Sequence, residues 1–428
     1  MTTTPTFFLI LDACRHDYIT PETTPFLAAL LERSRRGSLV SPAGFAQRTA
    51  MFTGTYPDKS GNFSAFGYGP ENSPFGWLSK LGPLARWYRP RKVFFPVRLA
   101  IKHASRLITG KYHTDPAWIP PTFLPKFEVV EDSRPIFDPG ALPSTSLFDR
   151  LREDGKTFFY GAHPVSGDDE EIFSMLLERF ERRVEDALFV AQFSTLDENG
   201  HHAGPLLPAG LEPSAEQTDQ DRSLMRRELA ELDRKCRTIH TSLASNYGDF
   251  NFMVVGDHGM APVRRRVDVL AALRTLDLEP GEDYTVFVNS TIANFWFETE
   301  RARSEITSAM ERLGGGRFLS RSEMEAERIG FSTRRYGDAL FAADPGTLFW
   351  PDYFHVVDST IKGMHGYIDK AEETYSLLMV SGPGIAPGEI GARPLVDVFP
   401  TLCRLTGVES TVDSEGRSLL DASLVRRA

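Results

Sequence analysis

Four short clusters in this chain carry the side chains that bind divalent metals. Asp12 closes the apolar run Phe7 to Leu11, and Asp197 and His201 lie four residues apart in Asp197-Glu198-Asn199-Gly200-His201. Asp257 and His258 are adjacent between Gly256 and Gly259, and His365 sits in Met364-His365-Gly366-Tyr367. Three carboxylates and three imidazoles make two three-ligand sites with open coordination positions, the arrangement of metals that act on substrates. Two divalent cations outweigh three aspartates in charge, so a residual positive field draws a phosphoryl oxygen toward the open positions. The mixed oxygen and nitrogen donors suit zinc best, with manganese or iron as alternatives.

For residues so far apart to meet, several strand ends must reach one edge of a sheet. Phe7–Leu11 is continuously apolar rather than alternating, which reads as a parallel strand buried on both faces. Pro25 suits the first turn of a helix through Phe26, Leu27, Leu30 and Leu31. A second helix is expected from Ala46 to Phe52, ending at Gly54. Alternation continues with helix near Ser146–Glu153, strand Thr157–Tyr160, helix Glu170–Arg183 and strand Leu188–Phe193. A long polar helix around Ala215–Ser245 precedes the strand Phe252–Val255. This rhythm predicts an α/β fold with a doubly wound, mostly parallel sheet and helices on both faces, its ligands at the C-terminal edge.

The motifs resemble those of the alkaline phosphatase superfamily, nearest its nucleotide pyrophosphatase/phosphodiesterase branch. The resemblance covers roughly residues 6–68, 188–260 and 362–408. It rests on Asp197-x-x-Gly200-His201 with Gly204-Pro205, on Gly256-Asp257-His258-Gly259, on Thr53-Gly54-Thr55-Tyr56-Pro57-Asp58, and on Asp397-Val398-Phe399-Pro400-Thr401-Leu402. It implies an alkaline-phosphatase-like fold and a two-metal hydrolase of phosphodiester or diphosphate bonds. Asp12, Asp257 and His258 would hold one metal, and Asp197, His201 and His365 the other. Sulfatases of the same superfamily carry two adjacent aspartates after the first strand. Here the second position is Ala13, which favours phosphoryl over sulfuryl chemistry.

The nucleophile departs from the pattern. Relatives carry a Thr, Cys or Ser at the start of the helix that ends in Thr-Gly, a position that falls here on Gly44 or Phe45. Three readings stay open: a displaced hydroxyl, Thr49 or Ser41; water activated by a metal; or replacement of a reactive residue at Ala46, natural or engineered. A metal-binding protein without catalysis is the competing class. Arg48 and Arg15 are candidates to grip phosphate oxygens. Glu198 and His202 take no role.

Over 428 residues the motifs of both ends belong to one site, which implies one large domain, 1–428, carrying insertions. The net charge of −10 argues against binding a nucleic-acid polymer. Cys14, Cys236 and Cys403 are too few and scattered for a disulfide framework, the N-terminus lacks a signal-like segment, and no run spans a bilayer, so a cytoplasmic protein is expected. Two stretches break the rhythm. Residues 72–135 form a basic aromatic insertion, with nine Lys or Arg and no acid over 72–114, and Trp77, Trp87, Tyr88, Phe94 and Phe95 among them. This segment is either a solvated helical face, a groove for a nucleotide-like or lipid-linked phosphate ester, or a peripheral membrane contact. Residues 278–361 read as an inserted cap subdomain, with strands at Tyr284–Asn289 and Asn294–Phe297 and a helix near Arg303–Leu313.

Overall fold

The computed structural model describes residues 4–80, 94–110, 115–130, 135–162, 165–355 and 359–425. The strands that matter here are β1 (Thr6–Leu11), β2 (Arg35–Val40), β3 (Phe158–Gly161), β4 (Leu188–Phe193), β5 (Asn251–Val255), β6 (Tyr284–Asn289), β7 (Ile292–Phe297), β8 (Gly316–Phe318), β9 (Ala339–Ala343), β10 (Ser376–Ser381) and β11 (Gly388–Pro394). The main sheet runs β11-β2-β10-β5-β1-β4-β3, and only β10 opposes the rest. The expected doubly wound, mostly parallel sheet is therefore present. β1 lies between β4 and β5, and every residue of it is buried. That central place explains its unbroken apolar run: both faces are covered, so no position favours a polar side chain.

The helices are α1 (Pro25–Leu31), α2 (Gln47–Thr53), α3 (Phe95–Thr109), α4 (Leu147–Glu153), α5 (Asp169–Glu181), α6 (Thr195–Ala203), α7 (Asp219–Tyr247), α8 (Glu300–Leu313) and α9 (Val398–Thr406). The two-residue period of β1 sorts its side chains between two cores. Phe7, Leu9 and Leu11 pack with α1, α5 and α7, whereas Phe8 and Ile10 pack with α2, α4 and α9. α7 contributes Met225, Leu229, Leu232, Cys236, Ile239 and Leu243, a stripe at three- and four-residue spacing. α4, α5 and α7 each begin in a capping box, at Ser146, Asp168 and Thr218, which satisfies N–H groups that the first turn leaves without partners. α2 ends at Gly54, whose φ of 68° closes the helix.

The antiparallel sheet β6-β7-β9-β8 stands apart from the main sheet, with α8 packed against it. Phe66, Phe75, Leu78, Ile101, Phe123 and Phe127 join the same core. Phe66 and Phe127 each meet the Phe287 ring, at 5.7 and 5.5 Å, and Phe127 meets Trp296 edge-on at 5.5 Å. The two stretches that interrupt the sequence rhythm thus share one apolar cluster.

Three features depart from the sequence reading. β2, β10 and β11 were not expected as strands; Arg35, Arg36 and Gly37 in β2 and Gly388, Glu389 and Gly391 in β11 lack the apolar signature, and the three make up one side of the sheet, with β11 at its edge. The cationic segment is not left uncompensated: Asp115, just past its end, pairs with Arg98 at 2.6 Å and Lys102 at 3.1 Å. Trp77 is a structural anchor, donating its indole N–H to Ser105 at 3.0 Å. Trp87, Tyr88, Arg86, Arg89, Arg91, Lys92 and Lys111 lie outside the described residues. No helix among the described residues is long and apolar enough to cross a membrane.

Candidate metal centre

β5, β1 and β4 are neighbours, so their C-terminal ends lie side by side and the chain leaving each delivers one aspartate to the same place. Asp12 follows β1 directly. Ala13, at a φ of 57°, then turns the backbone so that its N–H reaches the Asp257 carboxylate at 3.2 Å. That is a costly conformation for a residue with a Cβ, held in place at the centre of the site. Asp257 and His258 lie just past β5. Gly256 between them and the strand admits no side chain, since a Cβ there would stand 2.4 Å from the Cys14 carbonyl oxygen. Asp197 and His201 share one face of α6, four residues apart. His365 comes from a loop that the short pairing of Gly363 and Met364 with Ala261 and Pro262 clips beside the β5 turn.

The six predicted ligands converge. One tight group is Asp197, His201 and His365, the other Asp12, Asp197 and His258, with ligand atoms within 4.8 Å of one another in each. Asp197 belongs to both, which differs from the grouping expected from sequence, where it served one metal only. Asp257 stands a step behind. Its Oδ1 accepts the N–H groups of Ala13 and His258, and its Oδ2 is 3.8 Å from His258 Nε2.

The imidazoles are oriented from behind. His201 Nδ1 lies 3.0 Å from the Gly363 carbonyl oxygen and His258 Nδ1 2.9 Å from that of Gly259. A carbonyl accepts only, so each Nδ1 carries a proton, and in the neutral ring each Nε2 presents its lone pair to the carboxylates. His258 Nε2 is 3.3 Å from Asp12, His201 Nε2 3.4 Å from Asp197, and His365 Nε2 3.9 Å from Asp197. The His258 and His365 rings stack at 3.6 Å.

Such crowding distorts the acid–base chemistry. Burial and the neighbouring Asp12 push Asp257 up to about 7. Burial disfavours the His258 cation, but Asp257 and Asp12 outweigh it and raise His258 to about 10. Burial likewise opposes ionisation of Asp197, yet His201, His365 and His258 hold it well below the usual carboxylate range. Burial and the His258 charge drive His365 well below the ordinary histidine value. A buried Asp197 oxygen, Oδ1, has no hydrogen-bond partner. An unsatisfied carboxylate oxygen facing imidazole lone pairs fits a cation between them, and the hard oxygen and borderline nitrogen donors fit a divalent one.

The other predicted residues fare differently. Arg48 is half-buried and lines the cleft over the cluster, a space of about 180 Å³, room for a phosphoryl group and its immediate substituents. Arg15 does not reach it. Its guanidinium is 1% exposed, takes both Asp17 carboxylate oxygens at 2.6 and 2.8 Å and donates to the Met260 carbonyl, so it is a structural strut rather than a phosphate grip. Thr49 is 1% exposed on the inner side of α2, its hydroxyl accepting from Asn62 Nδ2 at 3.0 Å, and it does not line the cleft. Ser41 donates its hydroxyl to the Asp257 carbonyl oxygen.

Several neighbours escaped the sequence reading. Gln192 donates to Asp12 Oδ2 at 2.8 Å; its signal was a lone amide in the otherwise apolar run of β4. Gln47 lines the cleft and donates to the Gly44 carbonyl oxygen at 3.0 Å, while the Phe45 ring rests edge-on against His365 at 5.4 Å. His355, paired with the fully buried Asp352 at 2.8 Å, lies with its ring 5.5 Å from that of His201. Nothing in the sequence around it distinguished this pair.

Comparison with known proteins adds to this geometry. A family described as type I phosphodiesterase / nucleotide pyrophosphatase matches residues 6–368. No curated protein matches the sequence. Among solved structures, the chain is similar to human ectonucleotide pyrophosphatase / phosphodiesterase 5, with a TM-score of 0.65 and 16% identity over 95% of this chain and 96% of that one. It is also similar to the murine protein of that name in an inactive form in complex with AMP, with a TM-score of 0.66 and 16% identity over 96% of both chains. The murine protein in a further structure gives 0.65 and 17% identity, over 95% and 96%. At such identity the likeness is one of fold.

Proposed function

The chain belongs to the type I phosphodiesterase / nucleotide pyrophosphatase family, metal-dependent hydrolases of phosphodiester and diphosphate bonds, and from that premise we propose how its own residues serve the reaction. Asp12, Asp257 and His258 would hold one divalent ion and Asp197, His201 and His365 the other, and Asp197 also lies within reach of Asp12 and His258. Zinc fits the donors best. When bound, the ions supply concentrated positive charge to the phosphoryl oxygens and lower the pKa of water.

The protein's part is orientation. The Gly363 and Gly259 carbonyls fix two imidazoles, and Gln192 fixes Asp12, so the donors are set before substrate arrives. Arg48 neutralises phosphate charge at the cleft wall, and Phe45 shields the His365 side from water. The observation that carries this reading is the pair of ligand groups meeting at Asp197. A complete donor set in a hydrolase family also favours catalysis over mere metal storage.

The complex of the murine relative with AMP supports a nucleotide-like ester as substrate. A lipid-linked diphosphate is a second reading, favoured by one observation: α3 exposes Phe95, Leu99, Leu107 and Ile108 beside Arg98, Lys102 and Arg106, a composition suited to anionic headgroups. The test is a panel of nucleotide diesters, nucleoside diphosphate esters, a prenyl diphosphate, a phosphomonoester and an aryl sulfate, assayed on protein reconstituted with zinc or manganese. Turnover of a diester or diphosphate, abolished by chelation, is expected. Failure to turn over any phosphate ester would overturn the proposal.

A further inference from the structure

We infer that this chain cleaves its substrate in a single displacement, with water as the attacking group and no phosphoryl-enzyme intermediate. The inference rests on the hydrolase reading above and concerns which atom attacks phosphorus. Covalent phosphoryl transfer of the common kind needs a hydroxyl or thiol within reach of the reacting centre. The cleft over the cluster is lined by carboxylates, imidazoles, two glutamines, Arg48 and Phe45, none of which carries one.

Among the described residues, the hydroxyls that line the adjoining pocket beside His258 and His365 belong to Ser41, Thr374 and the buried Tyr367. Ser41 donates to the Asp257 carbonyl oxygen, and Thr374 donates to the Ala371 carbonyl oxygen at 2.7 Å. Thr49 is buried against Asn62. Cys14 is fully buried, its Sγ 3.9 Å from the Arg15 carbonyl oxygen, and it does not line the cleft. The stretch that enters α2 is also shaped against acquiring a nucleophile. Gly44 has a φ of 91°, and a Cβ there would stand 2.4 Å from both a ring carbon and the carbonyl oxygen of Phe63. What this stretch offers the cleft is an aromatic ring, an amide and a guanidinium, which bind and shield but do not attack. The aspartates and imidazoles remain, and they are the donors that the bound cations occupy.

The balance of the step is then simple. The water oxygen forms the new P–O bond while the bond from phosphorus to the leaving oxygen breaks, its electron pair staying with that oxygen. One water proton passes to solvent. A phosphate leaving group departs as the anion, and an alkoxide takes a proton back from solvent.

One in-line displacement inverts phosphorus; two successive ones restore it. The experiment is hydrolysis of a nucleoside phosphorothioate diester of one configuration at phosphorus by the zinc-reconstituted protein in ¹⁸O-water. Product configuration is read by ³¹P NMR, and acid-quenched protein is weighed intact by mass spectrometry during turnover. Inversion together with unmodified protein mass is the expected result. Retention, or a protein species heavier by the thiophosphoryl group with its remaining nucleoside or alcohol ester, overturns the inference while leaving the hydrolase reading in place. No turnover of the diester or of the wider ester panel overturns both.

Discussion

Replacing Gly44 by Ala tests whether the entry to α2 has room for any side chain. The new residue must hold a φ of 91°, where a Cβ is strained at a cost of about 1–3 kcal/mol. Its Cβ would also stand 2.4 Å from the Phe63 ring and carbonyl oxygen, and Phe63 is 1% exposed, so relief requires moving packed atoms. Overpacking of this kind costs about 1–3 kcal/mol, so the combined penalty is roughly 2–6 kcal/mol. For 428 residues, an unfolding entropy of about 2.1 cal/mol/K per residue gives roughly 0.9 kcal/mol/K, so the melting temperature should fall by roughly 2–7 °C. Gly155→Ala is the matched control: its φ is 66° and a Cβ there meets nothing within 4 Å. It carries the strain alone, about 1 kcal/mol and about 1 °C. Melting followed by circular dichroism, with reversibility checked by rescanning, compares the two. Equal shifts for both variants would refute the steric account of Gly44. Gly44→Thr should be destabilised at least as much as Gly44→Ala and should gain no phosphoryl-enzyme, because its hydroxyl cannot be placed without displacing Phe63.

Three further outcomes follow from the site. Asp197→Ala should lower metal content from about two ions per chain to below one, since its carboxylate belongs to both ligand groups, whereas Asp257→Ala should mainly weaken one; elemental analysis after zinc reconstitution decides it, and unchanged content for Asp197→Ala would remove the shared-ligand reading. Metal uptake should release protons. In the metal-free fold His258 is raised to about 10 and stays protonated until pH climbs through that value, and a metal needs the neutral ring, so at pH 7 about one proton leaves His258 and a further fraction leaves Asp257. Affinity should therefore rise with pH between about 7 and 10; calorimetric enthalpies that do not vary with the ionisation heat of the buffer would contradict this. Finally, diester or diphosphate turnover should exceed aryl sulfate turnover by about 100-fold or more, given Ala13 in place of a second aspartate; a preference for the sulfate ester, read from kcat/KM, would reverse the assignment.

The site's ingredients were legible in the sequence because metal binding demands particular atoms. Asp12, Asp197, His201, Asp257, His258 and His365 are each tied to a strand end, a helical i, i+4 step or a glycine-flanked turn, local features that periodicity and composition record. The buried strands β1, β4 and β5 were equally plain, since a central parallel strand is apolar throughout. The polar edge strand β11 and its neighbour β2 were not, because their pairing is decided by neighbours far along the chain rather than by their own side chains. The same holds for partners. Arg15 and Arg48 are equivalent cations in the sequence, yet Asp17 and the Met260 carbonyl take up one guanidinium while the other lines the cleft. Thr49 is a hydroxyl one turn into the right helix, and only packing turns it toward Asn62 and away from the metals. Sequence determined which atoms were present and at what local spacing; the tertiary structure decided which of them face one another, because burial and contact depend on residues hundreds of positions apart.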